Sequence, residues 1–430
     1  MSRPTLGRLA LALALAIAPG ARATPEVLAI VGARAHTLER PEPIENATIV
    51  IRGGKLAAIG AGLAVPADAR VIDAHGRVVT PGLMNPATQL GLIEVDSVPD
   101  TNDAAVASGP LGAAFDIEYA LNANATSLVQ ARADGITRAV SVPGGAAGAP
   151  FAGAAALLRL LPGAEPLERP RVALLAQVGG MSAARAGGSR SAQWILLRNA
   201  LAEAREYGRH HNGAPRDQLL SHLDAEALEP VLAGRVPLVI DAARESDIRE
   251  AVRLAGDFGL RLVVLGGADA WRVAPLLAQR RVPVILDPFD DYPATFDETG
   301  ARLDNAALLQ RAGVLIAFTL PWVHRSHNAG SVLREAAGLA VANGLPWIEA
   351  LRALTENPAR IFGVADRFGT LAPGKDADLV IWDGDPLEPA TAPVAVIIDG
   401  RPCPLDTRQT RLRDRYAPGR RADPWPPAYR

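Results

Sequence analysis

Short apolar runs that are typical of β-strands stand near both ends of the chain, separated by Gly and Asp-Gly turns. Gly53-Gly54 lies between two of these runs and predicts a tight hairpin turn. Two β-rich ends around a different middle predict one small β-domain that both ends build together. The runs lie at 27–33, 47–52, 56–59, 71–72, 78–80, 379–382 and 394–398.

The middle of the chain alternates apolar runs with helical segments. Continuous Val, Ile and Leu runs are typical of parallel strands that are buried on both faces. Between them, 246–258 and 269–280 have the periodicity of amphipathic helices. This repetition predicts an α/β fold of the (β/α)8 TIM-barrel type; the alternative for the third and fourth runs is a hairpin. The eight runs are 83–91, 136–142, 153–160, 172–178, 236–243, 261–265, 282–287 and 313–319.

The first residues have the pattern of a secretory signal peptide. Arg3 and Arg8 precede or flank an apolar run at 9–18, and Ala21-Arg22-Ala23 fits a small-x-small cleavage site. Ten apolar residues are too few to cross a bilayer, so a signal is favoured over a membrane span, and an uncleaved anchor is the alternative. The sequence predicts a periplasmic or otherwise exported protein that has no membrane attachment after signal cleavage.

Composition narrows the classes of function. The 430 residues include 44 basic and 46 acidic ones, and 49% are apolar, which argues against a disordered chain and against a nucleic-acid-binding protein. The single cysteine, Cys403, cannot form an internal disulfide. Lys55 and Lys375 are the two lysines of the chain, so no chemistry between these positions depends on a lysine.

Two motifs flank the predicted barrel. The first is VIDAHGRVVTPGL at 71–83, and the second combines ALRALTENPARIFG at 350–363 with GTLAPGKDADLVIW at 369–382. With these motifs the chain resembles the amidohydrolase superfamily, and more closely its imidazolonepropionase-like branch. The resemblance implies a TIM barrel with a small β-sandwich domain from both ends. The predicted division is a signal peptide at 1–23, a composite β-sandwich at 24–80 and 366–405, the barrel at 81–365 and a C-terminal tail at 406–430. We expect the tail to be a surface strap or a partly disordered segment.

The resemblance also implies hydrolysis of C–N bonds by a water molecule that one or two divalent metals activate. Zinc prefers His, Cys and carboxylate ligands, and the family's first two ligands are histidines two residues apart on the first barrel strand. A carbamylated bridging lysine is excluded by the positions of the lysines. We therefore predict no metal or other cofactor, the alternative being one zinc ion at a non-standard site. The family's ligand positions are occupied here by Ala87, Gln89, Asp241 (or Ala243), Gly266 and Pro321.

Few residues offer replacement chemistry in the barrel mouth. His324 and His327 follow the eighth strand, and Asp287, Asp290 and Asp291 follow the seventh, at the face where barrels carry their active sites. The alternative is that these are solvated loop residues and helix caps. The candidate catalytic residues are Gln89, Asp241, Asp287, His324 and His327. The other histidines lie in the β-domain or before the fifth strand, at His36, His75, His210, His211 and His222.

Two functions stay open at this point. The first is an exported amidohydrolase-family protein that has lost its metal ligands: a pseudoenzyme that binds a small molecule, or a partner subunit of an active relative. It would then form a homo- or hetero-oligomer with an amidohydrolase. The second is an active C–N bond hydrolase with a rearranged or metal-independent site. A scaffold that works through the outer helices is a third class, for which the sequence offers no distinctive binding helix.

Overall fold

The computed structural model describes residues 27–146, 150–207, 219–321 and 324–417. The predicted signal peptide, His210 and His211 lie outside the described residues, as does the tail beyond 417. Within the described ranges no helix is long and apolar enough to cross a membrane.

Strands from both ends of the chain form one eight-stranded sheet, as the apolar runs predicted. Strand β5 lies between β1 and β16, so an early strand and a late strand are direct neighbours. Gly53 and Gly54 form the two-residue turn between β2 and β3, with φ angles of 55° and 76° that glycine adopts without strain. The strands are β1 Val27–Ala35, β2 Ile44–Arg52, β3 Lys55–Ala61, β4 Arg70–Asp73, β5 Val78–Pro81, β16 Leu379–Trp382, β17 Pro393–Ile398 and β18 Arg401–Cys403.

A second eight-stranded sheet curls into a nearly closed barrel. Its edge strands meet where the Thr319 hydroxyl donates to the carbonyl oxygen of Ala87 at 2.8 Å. A further two-stranded sheet pairs β7 Ala105–Val106 with β9 Gly145–Ala146. The barrel strands are β6 Leu83–Thr88, β8 Ile136–Ser141, β10 Phe151–Arg159, β11 Leu167–Gln177, β12 Leu238–Ala242, β13 Leu262–Gly266, β14 Val284–Leu286 and β15 Ile316–Phe318.

One barrel strand runs against the others. β10 pairs antiparallel with both β8 and β11, whereas β11 to β15 are mutually parallel. The hairpin alternative for 153–160 and 172–178 is therefore what the chain adopts. Because antiparallel neighbours need no crossover helix, the described residues between β8 and β11 contain none.

Helices cover the parallel part of the barrel. In α5, Ile248, Ala251 and Val252 recur at helical spacing and pack against the outward side of the strands. The exposed tail also contains a helix, α11, where the sequence had predicted a strap or a partly disordered segment. The helices are α1 Thr126–Ala133, α2 Gly180–Ala183, α3 Arg190–Tyr207, α4 His222–Leu232, α5 Glu245–Phe258, α6 Ala274–Arg280, α7 Asn305–Arg311, α8 Ser331–Ala342, α9 Trp347–Ala353, α10 Glu356–Ile361 and α11 Arg408–Tyr416.

An ion cluster closes the amino-terminal end of the barrel. Arg138 is fully buried on β8, and its guanidinium donates to Glu168 at 2.7 Å and to Asp376 at 2.5 Å. It also donates to Asp378, next to the second sheet, and stacks on the Phe368 ring at 4.6 Å from its centroid. A buried cation needs such a full set of partners, so this ion cluster is structural, and the opposite end of the barrel is left for the mouth.

Candidate active site in the barrel mouth

The alternation of side chains along the strands determines which residues reach the mouth. On β12, Leu238 and Ile240 pack outward against the helices, whereas Val239 belongs to the barrel interior. Asp241 is two residues beyond Val239 and therefore points inward at the carboxyl end. By the same spacing, Asp287 follows the interior residue Ile285 of β14. Two carboxylates from separate strands thus face the same space.

A half-buried arginine lies close enough for its charge to act on these carboxylates. Arg325 lies beyond β15, and its Nε donates to the carbonyl oxygen of Leu320 at 3.1 Å. Burial lowers the pKa of Arg325, and the charges of Asp241 and Asp287 act in the opposite direction. The guanidinium therefore lies near both carboxylates, in the part of the mouth between β12 and β15. The sequence reasoning missed Arg325, because a residue in a connecting segment belongs to no apolar period.

The mouth is electrostatically strained on its acidic side. Burial raises the pKa of Asp241, and Glu298 adds to this effect while Arg325 opposes it. Burial raises the pKa of Asp287 to about 6, against a hydrogen bond from the Phe289 amide and the charge of Arg325.

A fourth carboxyl adds to this strain. Burial raises the pKa of Asp290 to about 7, with repulsion from Glu298, Asp287 and Asp291. Its amide donates to the carbonyl oxygen of Asp287 at 3.2 Å, so the two residues belong to one turn. Carboxyls with pKa values near neutrality are able to accept and release protons under physiological conditions.

Gln89 lies at the mouth beside the edge of the barrel. Its amide donates to the carbonyl oxygen of Arg325 at 3.0 Å, so backbone bonding ties the first barrel strand to the arginine segment. Its side-chain amide packs on Gly144, where a Cβ atom would come within 2.9 Å of Nε2. Gln177 Nε2 reaches the carbonyl oxygen of Gly144 at 3.4 Å. Gln89 and Gln177 therefore contribute neutral amides around Gly144, and Gln177 is the register partner of Asp241 on the neighbouring strand.

The two candidate histidines take other roles in their local contacts. Nδ1 of His327 lies 2.9 Å from Asp96 and 2.7 Å from the Ser326 hydroxyl. Ser326 also donates to Asp96 at 2.9 Å, and it is buried. These bonds fasten the segment after β15 to the exposed 95–98 turn. His324 Nδ1 lies 3.4 Å from the side-chain amide of Asn328, four residues further along the chain.

The residues at the family's ligand positions do not fit a metal. Ala87 has no ligating atom and is buried in the barrel interior, and Gly266 has no side chain; a Cβ there would meet Asp241 Oδ1 at 3.3 Å. Gln89 offers a neutral amide, which zinc binds poorly. Among the described residues, no three His, Cys, Asp or Glu side chains converge as a group that could hold a metal ion.

Similarity to known proteins agrees with the fold and the motifs. The model of the amidohydrolase family matches residues 300–403. The amidohydrolase TasK from Hapsidospora irregularis is 25% identical over 374 residues, which is 78% of this chain and 37% of TasK. The chain belongs to the amidohydrolase superfamily. This amidohydrolase-family chain thus spans little more than a third of its curated relative's length.

Solved structures share the fold of this amidohydrolase-family protein. An amidohydrolase from Thermotoga maritima MSB8 superposes with a TM-score of 0.78 at 24% identity, covering 87% of this chain and 99% of that one. A prolidase complexed with N-methylphosphonate-L-proline has a TM-score of 0.54 at 19% identity, covering 88% and 99%. At these identities the likeness establishes the fold, and the resemblance predicted from the two flanking motifs is confirmed at superfamily level.

Proposed function

We propose that this amidohydrolase-family protein binds a small polar molecule in its barrel mouth and has no metal centre of the family type. One observation carries the proposal: the guanidinium of the half-buried Arg325 lies within electrostatic range of Asp241 and Asp287, where the family's fold would gather its metal. The loss of donor atoms at Ala87 and Gly266 supports the same conclusion.

The arginine supplies the positive charge that a metal would otherwise bring. A guanidinium stays protonated at all physiological pH values and would repel a divalent cation at short range. It also partly neutralises the two half-buried carboxylates, which offsets part of the cost of removing them from water. The site therefore needs no metal ion to offset its negative charge. Replacing Arg325 alone would leave Asp241 and Asp287 without their positive charge and would not create a metal site.

The ligand we propose is neutral or cationic. Asp241, Asp287, Asp290 and Glu298 outnumber Arg325, so an anion would meet net repulsion, whereas an amine or amide would find acceptors. The amides of Gln89 and Gln177 provide further donors and acceptors. We also propose that this protein is exported and that it acts alone or as a partner subunit of an active amidohydrolase.

Elemental analysis tests the proposal. The full chain is purified without chelators from medium that contains zinc, iron and manganese, and its metal content is measured by mass spectrometry. We expect far less than one metal ion per chain, and no change in the melting temperature when zinc or a chelator is added. Stoichiometric metal that a chelator removes with a loss of stability would refute the proposal.

A second candidate is a metal-independent C–N hydrolase. The observation that favours it is the pair Asp287 and Asp290, whose pKa values of about 6 and about 7 suit a general acid and a general base at neutral pH. In that mechanism one carboxylate takes a proton from water while the other protonates the leaving nitrogen. The elements for this are present, although Arg325 in place of a Lewis acid would have to stabilise the oxyanion.

A substrate panel separates the two candidates. Dipeptides, including those with carboxyl-terminal proline, and cyclic amides are incubated with the protein in the presence of a chelator. Binding without turnover supports the ligand-binding function. Turnover that survives chelation, and that Asp287→Asn and Asp290→Asn each reduce by about a hundredfold or more, would establish the hydrolase instead. His324→Ala serves as the matched variant, because among the described residues the His324 side chain is hydrogen-bonded to Asn328 rather than to Asp287 or Asp290.

A further inference from the structure

A cavity of about 380 Å³ opens at the amino-terminal end of the barrel, on the face opposite the mouth. Its wall consists of residues that immediately precede β12, β13, β14 and β15, together with parts of α5 and α10. Pro237 and Pro283 make the rim rigid, since proline fixes its own backbone angle. The apolar part of the lining is Val252, Ala255, Leu260, Leu262, Val263, Val282, Leu315 and Ile361.

Four arginines line this cavity, and no acidic residue does. They are Arg261, Arg280, Arg281 and Arg360. Arg261 donates to the carbonyl oxygen of Arg235 at 3.1 Å, which leaves most of its donors available. Within the described part of the chain, no ion pair or side-chain hydrogen bond engages the guanidinium groups of the other three.

This arrangement differs from that of neighbouring arginines. Arg198, which packs on the same helix α5, pairs with Glu250 at 2.8 Å and with Asp257 at 2.7 Å. Arg253 on α5 pairs with Glu250 at 2.5 Å. Carboxylates are therefore available on this side of the barrel but are absent from the cavity wall, where four like charges surround one concave space.

Helix ends explain how the fold tolerates part of this charge. Arg280 lies in the last turn of α6 and Arg360 in the last turn of α10, where the partial negative charge of carbonyl groups attracts cations. That attraction is small and leaves the planar donor groups free to bind. Guanidinium groups bind carboxylate and phosphate oxygens in pairs, and such charge-assisted bonds are about twice as strong as neutral ones.

We propose that this cavity binds a small organic anion that carries at least two carboxylate or phosphate groups and an apolar body. The four arginines supply the recognition of the charged groups, and the apolar lining contacts the remainder. The volume lies within the range of small-molecule sites. Because the cavity is separated from the mouth by the barrel interior, and because the mouth is acidic, this site is independent of the function proposed above.

Calorimetric titration of the full chain tests the proposal with two probes, inorganic pyrophosphate and tricarballylate, at low salt. The variant Arg280→Gln/Arg281→Asn removes two charges; asparagine suits the left-handed backbone of Arg281, whose φ is 53°. The matched control Arg249→Gln/Arg253→Gln removes two exposed arginines of α5 outside the cavity. We expect binding of at least one probe, weakened about tenfold or more in the cavity variant and less than about twofold in the control.

The melting temperature of each variant without a probe confirms that both are folded. A phosphate site favours pyrophosphate, a carboxylate site favours tricarballylate, and either result supports the proposal. Equal loss of binding in the two variants would mean general charge attraction and would overturn it. Failure of both probes to bind the unaltered protein at millimolar concentration would overturn it as well.

Discussion

Replacing Asp290 by asparagine should stabilise the protein, and the gain should grow as the pH rises. Burial and the repulsion of neighbouring carboxylates raise the pKa of Asp290 to about 7 in the folded chain, from 3.8 in the absence of these effects. Between pH 3.8 and about 7, Asp290 is therefore protonated in the folded state and ionised in the unfolded state. Stability falls between these two pKa values as the pH increases, and the full cost is present above pH 7.

The magnitude follows from the size of the shift. A change from 3.8 to about 7 is roughly three pKa units, and each unit corresponds to about 1.36 kcal/mol, so the upper limit is about 4 kcal/mol. The Asp290 side chain is only partly buried, and solvent screening lowers this value. We expect Asp290→Asn to raise the free energy of unfolding by about 1 to 2 kcal/mol at pH 8 and by little at pH 4.5.

Urea unfolding at pH 4.5, 6 and 8 measures the effect. Asp304→Asn is the control of opposite sign, because a hydrogen bond from Arg302 lowers the pKa of Asp304. That variant should be neutral or slightly destabilised, by a similar amount at all three pH values. A gain for Asp290→Asn that does not depend on pH, or a loss at pH 8, would refute the assignment of Asp290 to a strained acidic mouth.

Three further substitutions test the framework around the site. Arg138→Met removes the fully buried cation of the ion cluster and leaves Asp376 and Asp378 with the less buried Lys55, Arg159 and Arg367 as partners. It should cost about 3 to 5 kcal/mol in urea unfolding, and a loss below 1 kcal/mol would contradict the ion cluster. Gly153→Ala should lower the melting temperature strongly, because the φ of Gly153 is 123° and the new Cβ would come within 2.6 Å of the Phe115 carbonyl oxygen. Gly163→Ala is the control: its new Cβ meets nothing within 4 Å, and the substitution should cost only about 1 kcal/mol of stability. His327→Ala should cost less than about 1 kcal/mol and speed proteolysis at the turn around Asp96, and unchanged cleavage there would contradict the fastening role.

The strands of this protein could be predicted because buried strands produce continuous apolar runs in the sequence. The runs at both ends and the eight runs of the middle all fall on strands of the structure, and alternation on β12 brings Asp241 to the interior. The domain boundaries at 80/81 and 365/366 stay predictions, since a sheet shared by both ends shows which strands pair rather than where a domain stops.

Other features leave no periodic signal. The run at 153–160 does not reveal the direction of β10, because an apolar run has the same composition whether the strand is parallel or antiparallel to its neighbours. The direction is set by the pairing of β10 with β8 and β11. Arg325 stands in a connecting segment, and its importance depends on carboxylates more than thirty residues away in sequence. Helix α11 has no buried residue, so its sequence has no apolar face from which a helix could be predicted. The capping box at Thr407 and Thr410 is the local sequence feature that indicates the start of this helix.

The sheet built from both ends has a consequence for the order of folding. β5 is complete on one side once β1 is present, but its other edge stays open until β16 is synthesised, almost three hundred residues later. Such long-range pairing slows folding and exposes an unpaired edge in every shorter chain. Residues 379–403 therefore complete this sheet last, and a truncated chain that lacks them should aggregate rather than fold.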